Sequence, residues 1–76
     1  MITVKQVLIY ENKKERREFR TFIDDNIEVS TIIINNDYDN SVAISDKEKK
    51  LLQKIFVDRG YKLIYADVLK SDKYVQ

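Results

Sequence analysis

The spacing of apolar residues changes several times along this chain, and each change predicts an element. Val4, Val7, Leu8, Ile9 and Tyr10 crowd a stretch rich in strand formers and too short for an ordinary helix, which predicts a strand over residues 3–10. Between residues 13 and 25 the apolar positions thin to Phe19, Phe22 and Ile23, on one helical face among good helix formers. Asn12, with Glu15 three residues later, has capping-box spacing, so a helix is predicted over 13–25. A competing pattern occupies the same stretch. Phe19, Thr21 and Ile23 alternate, and a strand over 18–23 would form a hairpin with the first. Ile27, Val29, Thr31 and Ile33 alternate with Glu28, Ser30, Ile32 and Ile34, a β-branched strand over 27–34. Residues 35–40 are Asn, Asp and Tyr, the chemistry of a turn. A short strand over 41–44 follows.

The clearest helix comes next. Leu51, Leu52, Ile55 and Phe56 recur at helical spacing over 46–59, Ser45 and Glu48 form a capping box, and the only glycine, Gly60, marks the stop. Residues 61–69 read as the last strand and 71–76 as a flexible tail. Residues 14–25 lie over 47–58 at an offset of 33 with most charge and apolar positions matched, which favours the helical reading of the first segment. The expected order is therefore βαββαβ in one domain spanning 1–76. This is an α+β ferredoxin-like plait, a four-stranded antiparallel sheet in the order 4-1-3-2 with two helices on one face. Its core would take Phe19, Phe22, Ile23, Leu52, Ile55 and Phe56 from the helices.

Composition narrows the chemistry. The chain has no cysteine and no histidine, which removes thiol catalysis, ordinary zinc sites and every Ser-His or Cys-His pair. No nucleophile stands beside the paired acids Asp24 and Asp25 or Asp37 and Asp39, so no enzyme, catalytic residue or cofactor is expected. Fourteen basic and 13 acidic residues give no global nucleic-acid footprint. The N-terminus lacks a secretory pattern and no apolar run nears the ~20 residues of a membrane span, so a cytoplasmic protein without membrane contact is expected. Ile, Lys, Asn and Tyr, all with AT-rich codons, make up 30 of the 76 residues, the composition of a low-GC bacterium or its phage.

Three constellations are candidates for function. Asp37, Asp39, Ser41, Ser45 and Glu48 stand at positions 1, 3, 5, 9 and 12 of a stretch that resembles the EF-hand calcium loop. Val42 occupies the position where that loop turns on glycine, and residues 28–36, which would be the entering helix, read as strand, so no metal is expected. Lys13, Lys14, Arg16, Arg17 and Arg20 form the densest basic cluster, interleaved with Glu15 and Glu18. On a first helix they would suit phosphate contact. Leu8 and Tyr10 of the first strand and Leu63 and Tyr65 of the last would share the sheet face that two helices leave open. Exposed tyrosine and leucine there suit a protein partner, including a second copy in a homodimer. The expected function is a small protein-binding regulator or inhibitor, encoded by a phage or mobile element. A nucleic-acid-binding module built on the basic helix and the tyrosines is the alternative, and a calcium-loop protein the remote one.

Overall fold

The second strand pairs on both of its sides, and that fact reorganises the expected architecture. The computed structural model describes residues 2–68, and the tail expected over 71–76 lies outside them. The chain runs β1 (Ile2–Glu11), β2 (Arg16–Asp24), β3 (Ile27–Ile34), a 3-10 turn (Tyr38–Asn40), β4 (Val42–Ile44), α1 (Asp46–Asp58) and β5 (Lys62–Val68). One five-stranded antiparallel sheet has the order β4-β3-β2-β1-β5. The four-stranded plait with two helices is thus corrected, among the described residues, to a five-stranded sheet with one helix.

The correction falls on residues 13–25. Asn12 does bond backbone amides, but it closes a turn instead of opening a helix. Its Oδ1 accepts from the N–H groups of Lys14 at 2.9 Å and Glu15 at 2.7 Å, and its own N–H donates to the Glu15 carbonyl at 3.0 Å. β2 then lies between β1 and β3, with Leu8, Phe19 and Ile32 in one cross-strand row. Ladder bonding on both sides and burial of Phe19 outweigh the helix propensity of the Glu, Arg and Lys residues. Phe19 and Phe22 consequently point to opposite faces. The segments that match at the 33-residue offset fold as a strand and a helix, so the likeness is not a structural repeat.

The turns follow from residues that tolerate positive φ. Asp25 and Asn26, at φ 49° and 69°, form the two-residue loop of the β2–β3 hairpin between the paired Asp24 and Ile27. Asn35 and Asn36, at φ 51° and 63°, end β3 in the same way.

α1 connects the two edges of the sheet and covers one face. Its capping box is formed at Ser45 and Glu48. At its C-terminus Gly60 takes φ 87°, the Tyr61 N–H donates to the Phe56 carbonyl at 2.9 Å and the Gly60 N–H to the Val57 carbonyl at 3.1 Å. This is a Schellman stop, and the Phe56 and Tyr61 rings meet across it with centroids 5.0 Å apart. The core comprises Leu8, Tyr10, Phe19, Ile32, Phe56 and Tyr61, with Ile44 and Leu52 at its margin. Of the expected core residues, Phe19 and Phe56 are central, while Phe22, Ile23 and Ile55 are only half-buried. Under the first half of α1 the contacts are polar. Lys49 donates to Gln6 and, at 3.4 Å, to Thr21, whose hydroxyl lies 2.9 Å from that of Ser30.

Hydrogen bonds from the Ser45 backbone N–H and hydroxyl hold the Glu48 carboxyl below its ordinary pKa. A carboxylate depressed in the folded state stabilises fully above its unfolded pKa and loses that contribution as pH falls through the folded value. Stability should therefore drop on acidification, and Glu48→Gln should flatten part of that drop. Urea midpoints from neutral pH to below the carboxylate range test this; an acid limb identical to wild type would contradict it.

Candidate functional site

The four residues expected on one open face are divided by the fold. Leu8 and Tyr10 are 7% and 6% exposed because α1 lies on their face. The Tyr10 ring meets Phe19 and Phe56 at centroid distances of 5.9 and 6.1 Å, and its hydroxyl accepts from Gln53 at 3.2 Å. These two residues build the core and are not available to a partner. Leu63 and Tyr65 are each 49% exposed on β5.

A bulge separates even this pair. Tyr65 lies opposite Ile9 and Leu63 opposite Tyr10, leaving Ile64 opposite no residue of β1. Leu63 therefore sits on the helix side of the sheet and Tyr65 on the far side. β5 is the end strand of the sheet, and all seven of its residues are exposed. Leu63, Ile64, Tyr65 and Val68 make it strongly apolar, and Lys62 and Asp67 supply its charges. The opposite edge, β4, has only three residues.

The basic cluster is not on a helix. Lys13 and Lys14 are exposed in the β1–β2 turn. Arg16 pairs with Glu11 at 3.1 Å, and Arg17 pairs with Glu15 at 3.3 Å while lying 5.8 Å from the centre of the Tyr61 ring. Arg20 pairs with Glu18 at 2.7 Å. A hollow of about 550 Å³ beside the turn, lined by Glu11, Glu15, Lys13, Lys14, Arg16 and Asn35, mixes both signs of charge. The Tyr61 hydroxyl bonds Glu15; that bond is the main cause lowering the Glu15 pKa and raising that of Tyr61.

One cluster had no clear sequence signal. On the face away from α1, Glu18 is 1% exposed, in a cross-strand row with Ile9 and Ile33. Tyr38 folds over it: its hydroxyl donates to Glu18 Oε1 at 2.6 Å, and Arg20 lies 5.2 Å from its ring centre. The hydrogen bond to Glu18 is the main reason the Tyr38 pKa is raised, with desolvation second. The one hint was a large aromatic side chain within an otherwise polar turn.

The EF-hand-like stretch is split between the 3-10 turn, β4 and the first turn of α1. Asp37 accepts from the Asn40 amide at 2.7 Å and Glu48 is held in the cap. Among the described residues no group of three or more acidic, histidine or cysteine side chains converges to hold a metal.

No protein-family model, curated protein or solved structure matches this chain. Among the described residues no helix is long and apolar enough to cross a membrane.

Proposed function

We propose that this small domain is a non-enzymatic, cytoplasmic protein-binding regulator or inhibitor that works through the outer edge of β5. The observation that carries the reading is an exposed seven-residue edge strand with four large apolar side chains. An open strand edge offers backbone donors and acceptors to an added strand, and alternate side chains supply selectivity. The residue composition fits a gene from a low-GC bacterium, its phage or a mobile element. Nucleic-acid binding is the weaker reading because Arg16, Arg17 and Arg20 each have a carboxylate partner, leaving Lys13 and Lys14 as the exposed cations of the cluster.

Pull-down from the native host, with captured protein identified by mass spectrometry, tests the choice. Leu63→Ala with Tyr65→Ala should abolish capture, and Lys13→Ala with Lys14→Ala should preserve it. Capture that survives the β5 changes and is lost with the lysines or on nuclease treatment would overturn the reading.

A further inference from the structure

We propose that the occupant of the β5 edge is a second copy of this chain, paired antiparallel about a two-fold axis at Tyr65. The inference rests on reading β5 as a protein-binding edge, and it names the partner. The Ile64 bulge carries the argument. Measured along β1, Lys62 lies opposite Glu11, Tyr65 opposite Ile9 and Asp67 opposite Val7. Lys62 and Asp67 are therefore two ladder positions to either side of Tyr65, on the same face of the sheet. Without the bulge, the odd sequence separation of Lys62 and Asp67 would put them on opposite faces.

With the bulge, rotation about an axis through the Tyr65 position sets Lys62 of each copy beside Asp67 of the other. Tyr65 meets its own symmetry mate, and Leu63 lies across from Ala66 of the second copy. Moving the axis to Asp67 or to Lys62 would instead oppose like charges, which is unfavourable. The strand is thus complementary in charge to itself in one register, and an isologous pair closes without leaving a free copy of the surface. Its middle, Leu63–Ala66, has neither a charge nor a proline to block such pairing, whereas the other edge is protected by its shortness. Two sheets of five strands would join into one continuous sheet.

Sedimentation of the full chain from micromolar to millimolar concentration gives the test, with circular dichroism confirming that each variant folds. Wild type should self-associate. Lys62→Asp alone and Asp67→Lys alone should each weaken self-association on the order of tenfold, because each turns two attractive cross-strand pairs repulsive. Mixing the two variants should restore association, since every pair across that heterodimer is again of opposite sign. A wild type that stays monomeric, or single reversals that associate as well as wild type, would overturn the inference. Such a result is separable from failure of the protein-binding reading, which is decided by whether the β5 changes abolish capture from the host.

Discussion

Phe56→Ala should lower the stability of this protein by about 3–5 kcal/mol. Phe56 is the one buried side chain of α1, and its ring contacts Tyr10, Phe19 and Tyr61 at centroid distances of 6.1, 5.8 and 5.0 Å. It is the point at which helix, sheet and Schellman stop meet. Truncation removes the transfer energy of the ring and leaves a cavity among aromatic groups that cannot close without moving the helix. A chain of this size has little stability in reserve, on the order of 5 kcal/mol, so the variant should be largely unfolded near physiological temperature. Urea denaturation checks this, and a loss below about 1 kcal/mol would show that α1 does not anchor the core as described.

Arg20→Ala should have the second largest effect, about 3 kcal/mol, through the charge it leaves behind. Glu18 is enclosed between β1 and β3 beneath Tyr38, and Arg20 supplies its cation through Nε at 2.9 Å and Nη2 at 2.7 Å. Removing one partner of a buried pair costs roughly 3–5 kcal/mol, and the lower end applies because the Arg20 side chain is 33% exposed and water can enter in its place. Replacing the carboxylate as well should relieve the defect: Glu18→Leu in the Arg20→Ala background should recover most of the loss, since an apolar residue between Ile9 and Ile33 needs no counter-charge. Thermal melts of the single and double variants give the coupling. A single variant that melts with wild type, or a double variant no better than the single, would contradict the role assigned to this pair.

The parts legible in the sequence were those fixed by local chemistry. Ser45 and Glu48, the Leu52–Phe56 spacing and Gly60 define α1 without help from the rest of the chain, and the β-branched run over 27–34 is β3. The turn at Asn35 and Asn36 follows from side chains that accept positive φ. What failed was the stretch whose conformation is set by its neighbours. Arg17, Glu18 and Arg20 are helix formers in isolation, and Asn12 offers amide hydrogen bonding that serves a helix start or a hairpin turn equally well. The alternation of Phe19, Thr21 and Ile23 carried the correct answer, and the two-residue Asp25-Asn26 loop before Ile27 was the further signal for a hairpin.

The candidate site was half legible for the same reason. Which face of β1 is open depends on where the helix lies, and that hid Leu8 and Tyr10 in the core. Leu63 and Tyr65 remained exposed because β5 ends the sheet. The bulge that turns them to opposite faces is a property of the β1–β5 ladder, and no residue type in β5 announces it.

Hydrogen exchange at the β5 amides reads, residue by residue, whether this edge pairs with a second copy of the chain. In a lone edge strand the N–H groups directed away from β1 exchange freely, while those bonded to β1 are protected. The outward amides of residues 62–68 should become protected as the protein concentration rises, with no matching change in the turn at Lys13 and Lys14. Outward amides that exchange as open groups at every concentration, with protection developing around Lys13 and Lys14 instead, would contradict that pairing.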